Sequence, residues 1–295
     1  MTFGLWILAG LFLTLALIPI LTTLRFWVHT RIESFKNRAE FSPYVSVILP
    51  CKGIDPGFES NILSVLNQDY PCYEVIFVTA TEEDSAYVRL QSLLNRFTEK
   101  NIKLIVAGLS NRRSEKVNNQ LAGIEHADPA SKAFVFFDSD IRANPDLLTK
   151  LLAPLQETTI GVTTGFRFYI PRGSSVGSYL QAAWNGGGLP LLGNSGLAYA
   201  WGGAMAILRS TFRQTDIASL WDRAFSDDLS LTRAIRNSNL DIHFVPEGLV
   251  ASFEDRNLSQ VIEWTNRQTV ISRVYLPKMW LSIFLMHASL AIGLL

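Results

Sequence analysis

The first 24 residues contain no Asp, Glu, Lys or Arg, and this absence constrains the fold more than any other feature of the chain. A helix crossing a ~30 Å hydrocarbon core needs roughly 20 apolar residues, and 3–28 supplies them. A cleaved signal peptide places basic residues before its apolar run. Here the order is reversed: Arg25, Arg31, Lys36 and Arg38 follow the run, against the single Glu33. The positive-inside rule predicts an external N-terminus, a transmembrane helix over 3–28 and a chain that continues in the cytoplasm. Trp6 and Trp27 stand near its two ends as interfacial anchors, and Pro19 kinks such a helix without abolishing it.

The other end has the same character. After Lys278 no formal charge occurs, while Arg267, Arg273 and Lys278 itself precede the apolar run. A second transmembrane segment is expected over 278–295; with an apolar last residue, it either ends at the far face or continues. The charged fraction, 18%, falls below the ~25% of ordinary soluble domains because of these two segments. Lys+Arg 26 balances Asp+Glu 26, so nucleic acid is not an expected partner. Cys51 and Cys72, each beside a proline and without CxxC spacing, read as reduced thiols.

Between these ends strand and helix patterns alternate. Short β-branched or aromatic runs at 44–49, 74–78, 103–106 and 133–137 are separated by amphipathic stretches near 58–66, 84–97 and 115–126. That alternation predicts an α/β domain over 44–255 with a mostly parallel sheet. Ligands of open α/β sheets bind beyond the carboxyl ends of the strands. The residues found there are Pro50-Cys51-Lys52-Gly53, Thr79-Ala80-Thr81-Glu82-Glu83-Asp84 and Asp138-Ser139-Asp140.

Asp138 and Asp140 end an apolar strand one residue apart, so in extended backbone both side chains face the same way. Two carboxylates there suit a hard divalent cation, Mg²⁺ or Mn²⁺, that completes its shell with the phosphates of a diphosphate leaving group. A second pair, Asp227-Asp228, opens the amphipathic stretch 229–236. It serves equally as an N-terminal cap or as a carboxylate base for a hydroxyl nucleophile. Further on, 256–277 predicts an interfacial amphipathic helix; in it Arg267 either snorkels or partners a diphosphate.

Together these motifs resemble the family-2-like inverting glycosyltransferases with the GT-A fold, and among them the ceramide glucosyltransferase group. The residues that carry the likeness are 49–56, 69–75, Lys116-Val117-Asn118-Asn119, Asp138-Ser139-Asp140-Ile141-Arg142 and Asp227-Asp228. The resemblance implies a nucleotide-sugar pocket with Pro50, Lys52 and Lys116, a divalent cation at Asp138 and Asp140, and Asp228 as general base. Where the family has a nucleotide-binding aspartate after the second strand, this chain offers Glu82 or Glu83. The family's (Q/R)xxRW pattern is matched to Trp264-Thr265-Asn266-Arg267-Gln268, which assigns Arg267 to the diphosphate and Trp264 and Gln268 to the acceptor side; Asp227, beside the base, is placed on the acceptor side as a cap or support for Asp228.

The expectation is an integral membrane enzyme whose catalytic domain faces the cytoplasm. It would transfer a hexose, glucose by the resemblance, from a UDP-sugar to a lipid hydroxyl such as that of ceramide. A processive polysaccharide synthase and a non-catalytic membrane adaptor of the same fold are the rival readings.

Overall fold

The computed structural model describes residues 2–36, 38, 40–194, 196–253 and 255–293, with backbone only at 2–5, 7–9, 11–12, 14–16, 290 and 292–293. In chain order the strands are β1 (Val45–Pro50), β2 (Tyr73–Thr79), β3 (Ile102–Val106), β4 (Ala133–Phe137), β5 (Ile160–Tyr169), β6 (Ala204–Leu208) and β7 (Asp241–Ser252). The helices are α1 (Thr2–Phe35), α2 (Phe58–Leu66), α3 (Ser85–Leu94), α4 (Glu115–Glu125), α5 (Leu147–Leu152) and α6 (Val176–Gly186). They continue as α7 (Arg209–Gln214), α8 (Ile217–Trp221), α9 (Asp227–Asn237), α10 (Leu258–Tyr275) and α11 (Pro277–Gly293).

The strands form one sheet in the order β3-β2-β1-β4-β6-β5-β7. β6 runs antiparallel to both its neighbours, and every other pairing is parallel. The expected mostly parallel α/β sheet is therefore present. Its side chains alternate between two cores, as period-2 geometry demands. Val47, Leu49, Phe77, Val135 and Phe137 face one core with α2, α3 and α5. Ile48, Ile76, Val78, Phe134 and Phe136 face the other with Val117, Trp221, Leu231 and Ile235. Burial of the sheet on both faces explains why β1, β2 and β4 read as continuous apolar runs.

β5 is bulged against β7 between Ile160 and Val162 and again between Thr164 and Phe166. Glycines allow this approach: a Cβ on Gly165 would meet the Gly248 carbonyl oxygen at 2.2 Å, and one on Gly161 would meet Ile235 at 2.9 Å.

The expected spans 3–28 and 278–295 fall in α1 and α11, and part of each lies outside the described side chains and residues. Among the described residues, no helix is long and apolar enough to cross a membrane. The stretch 256–277, expected to be an interfacial helix, contains α10, which packs Val261 and Trp264 inward and leaves Leu258, Ile262, Val270 and Val274 exposed. α1 is tied to the sheet at its C-terminal end, where the Glu33 carboxylate lies 2.6 Å from Arg38 Nη2 and 3.1 Å from His243 Nε2 on β7.

Candidate active site

Because β1, β2 and β4 are parallel, the loops after Pro50, Thr79 and Phe137 share one edge of the sheet. Asp138 and Asp140 lie in the last of these loops and are partly exposed. Two helices bring their first turns to the same edge. α4 is capped by Ser114, whose side chain accepts from Val117 N–H, and α9 by Ser226, which accepts from Leu229 N–H. The second residue of α4 is Lys116; the first two of α9 are Asp227 and Asp228.

Lys116 joins these elements. Its Nζ lies 2.7 Å from Asp138 Oδ1 and 3.1 Å from Asp227 Oδ2, and it donates to the Gly202 carbonyl at 3.1 Å. The buried Asp227 also accepts from Gln120 Nε2 at 2.9 Å. Asp228, half-buried, accepts from Gly202 N–H at 3.2 Å, Ser226 Oγ at 2.5 Å and Leu229 N–H at 2.8 Å. The single residue Gly202 thus touches Lys116 through its carbonyl and Asp228 through its amide. A Cβ there would stand 2.5 Å from Asp227 Oδ2 and 2.8 Å from Lys116 Nζ, so a larger residue would push on both side chains.

On the other side of the acid pair lies Arg167 of β5. Its guanidinium takes Asp140 bidentately, Nη1 to Oδ2 and Nη2 to Oδ1 at 2.6 Å each, and reaches Asp138 Oδ2 at 3.2 Å. The rings of Trp201 and Tyr169 flank it with centroids at 5.4 and 6.0 Å, and Trp264 packs edge-on against Tyr169.

The charges respond accordingly. Burial raises the Asp138 carboxyl above its ordinary range, against the pull of Lys116. Burial also opposes ionisation of Asp140, but the bonds and charge of Arg167 outweigh it and hold that carboxyl low. Asp228 is raised by burial and then by the Asp227 charge. A carboxyl lifted toward neutrality is better matched to taking up a proton. Lys116 resists burial and stays charged because Asp138, Asp227 and Asp228 surround it.

Asp138 and Asp140 offer hard carboxylate oxygens that fit Mg²⁺ or Mn²⁺. Among the described residues, no group of three or more His, Cys, Asp or Glu side chains could hold a metal ion. A cation at this pair would therefore complete its shell from phosphate and water, as Mg²⁺ commonly does.

The remaining expected site residues lie at the end of β1, in the loops after β1 and β2, and on α10. Pro50 ends β1. Lys52 is largely exposed and pairs with Glu115 Oε2 at 2.8 Å. Glu82 and Glu83 are exposed in the turn before α3. The carboxylate that reaches the loop after β1 is Asp84, whose Oδ1 accepts Gly53 N–H and Ala86 N–H, each at 2.8 Å. Its signal was an aspartate in N-cap position before an amphipathic run. Arg267 is exposed on α10, Gln268 is half-buried, and Trp264 is buried. Gly202 and Arg167 were not anticipated. A Gly-Gly pair ahead of an apolar strand was the cue for the first, and a charge inside the aromatic run 166–169 for the second.

A mostly parallel sheet with an acid pair behind its fourth strand, met by two capped helix N-termini, defines the class: a GT-A glycosyltransferase. The chain matches glycosyl transferase family 21 over residues 11–295 and belongs to that family. Among solved structures it is similar to a mannosyltransferase from Pyrobaculum calidifontis determined in complex with GDP-Man and Mn²⁺. The TM-score is 0.60 at 18% identity, over 89% of this chain and 72% of that one. That likeness concerns the fold.

Proposed function

We propose that this enzyme transfers a hexose, glucose by family resemblance, from a UDP-sugar to a lipid hydroxyl such as that of ceramide, with inversion at the anomeric carbon. The observation that carries this reading is the Lys116 bridge, which joins the acid pair 138/140 to the carboxylates 227/228. In this reading the donor's diphosphate and the acceptor's hydroxyl are served by groups that one side chain links.

In this reading Asp228 takes the proton of the acceptor hydroxyl as that oxygen attacks the anomeric carbon from the face opposite the diphosphate. Gly202 N–H and Ser226 Oγ orient the Asp228 carboxylate, and Asp227 anchors Lys116 rather than reacting. Asp138 and Asp140 would hold the divalent cation, which supplies charge neutralisation on the departing diphosphate. The N-termini of α4 and α9 add their positive dipole ends to the same cluster. One carboxylate base suffices, unlike the two of a glycosidase.

Membrane attachment belongs to the same proposal. Exposed apolar side chains line α1 (Leu17, Leu21, Leu24, Trp27, Val28), α10 (Leu258, Ile262, Val270, Val274) and α11 (Leu281, Phe284, Leu285). Such stripes support helices seated in a bilayer that carries the insoluble acceptor, with the catalytic domain on the cytoplasmic side.

The test is incubation of membranes containing the enzyme with a panel of labelled UDP-sugars, followed by mass analysis of the lipid extract. A single added hexose on a lipid supports the reading. A polymer product would favour a processive synthase, and no product with any donor would return the non-catalytic adaptor.

A further inference from the structure

All four oxygens of the acid pair are already held by cationic side chains. Lys116 has Asp138 Oδ1; Arg167 has Asp138 Oδ2 and both oxygens of Asp140. Arg167 is no casual surface partner. Its side chain is 11% exposed, its guanidinium is flanked by Trp201 and Tyr169, and its backbone carbonyl accepts from Asn185 Nδ2 at 2.6 Å. A planar fork bound bidentately to a carboxylate is the strongest form of this contact. A hard divalent cation needs the same oxygens at about 2.1 Å, and it would stand directly against a like-charged guanidinium.

We propose that Arg167 is a built-in counter-ion of the Asp138/Asp140 pair, and that a divalent cation binds there only by displacing the Arg167 fork from Asp140. This rests on the reading of the pair as cation ligands, and deepens it. The arginine keeps the two carboxylates together and neutralised when no cation is bound. It also sets the cation's apparent affinity, because each binding event must break a bidentate pair. The freed guanidinium matches the geometry of a diphosphate, so a donor bearing one offers Arg167 a new partner and eases cation entry.

The experiment is titration of the full-length protein in detergent with Mn²⁺ alone, following loss of the free-ion signal by electron paramagnetic resonance. Wild type, Arg167→Met, Arg167→Lys and Asp140→Asn are compared, with circular dichroism as the check on folding. Arg167→Met should bind Mn²⁺ about tenfold more tightly or better, since a charge-assisted bond no longer has to be broken. Arg167→Lys, with a point charge and no fork, should fall between it and wild type, and Asp140→Asn should lose binding. If Arg167→Met does not fold, Arg167→Lys decides by the same criterion of tighter binding than wild type. Equal or weaker binding in the arginine variants, with Asp140→Asn still defective, overturns the proposal alone and makes Arg167 an organiser of the cation site. Binding that is absent throughout, or indifferent to Asp140→Asn, overturns the cation reading and this proposal together.

Discussion

Lys116 places its ammonium 2.7 Å from the Asp138 carboxylate and so fastens the first turn of α4 to the end of β4. The same nitrogen holds Asp227 at 3.1 Å. Removing it leaves two carboxylates facing a gap. Lys116→Met should cost about 2–3 kcal/mol, less than the ~3–5 of a fully buried pair because the side chain is one-third exposed. Transfer should fall with it. Urea unfolding beside a transfer assay checks this; wild-type stability would mean that the bridge is idle.

Gly202→Ala should be disproportionately harmful for one methyl group. The new Cβ would stand 2.5 Å from Asp227 Oδ2 and 2.8 Å from Lys116 Nζ, and both must move. Overpacking of this kind costs about 1–3 kcal/mol, and the amide that orients Asp228 shifts as well. Gly186→Ala is the control, since a Cβ there meets nothing within 4 Å. Comparable transfer by the two variants would remove Gly202 from the site.

The stability of the α1 attachment should depend on pH. Burial opposes ionisation of Glu33, but the hydrogen bond and charge of His243, followed by those of Arg38, bring it from 4.5 down to about 2. A depressed carboxyl stabilises fully above its unfolded value of 4.5 and loses that contribution as pH falls toward 2. Glu33→Gln should therefore lower the thermal midpoint at pH 7 by roughly 3–6 °C, equivalent to about 1.5 kcal/mol. The gap to wild type should close as pH drops from 4.5 toward 2. A gap constant down to pH 2 would contradict the ion pair.

The half of the sheet formed by β1 to β4 was legible because each strand is an apolar run followed by an amphipathic helix. β5 was not. Gly161 and Gly165 break its pattern as a loop would, yet they are glycine because the neighbouring Gly248 backbone and Ile235 leave no room for a Cβ. Asp138, Asp140 and the pair 227/228 could be found because their spacing and strand or helix context carry the chemistry. The contacts of Lys116 could not, since its partners lie in the loop after β4, on α9 and in the turn before β6, far apart in the chain. Arg167 was hidden for the same reason: its partners Asp138 and Asp140 follow β4, two strand positions away across β6.

The assignment of Asp228 as base is tested most directly by comparing Asp228→Asn with Asp227→Asn in two assays, UDP-sugar binding and sugar transfer to lipid. Asp228→Asn keeps the shape of the side chain but cannot take the acceptor's proton, so donor binding should persist while transfer falls by about 10²–10⁴-fold. Asp227→Asn weakens the hold on Lys116 and should retain more transfer than its neighbour. Wild-type transfer should decline on the acid side with a midpoint above the ordinary carboxylate range, because burial and Asp227 raise Asp228 and the base works only when ionised. Near-wild-type transfer by Asp228→Asn, or a deeper loss in Asp227→Asn, would contradict the account.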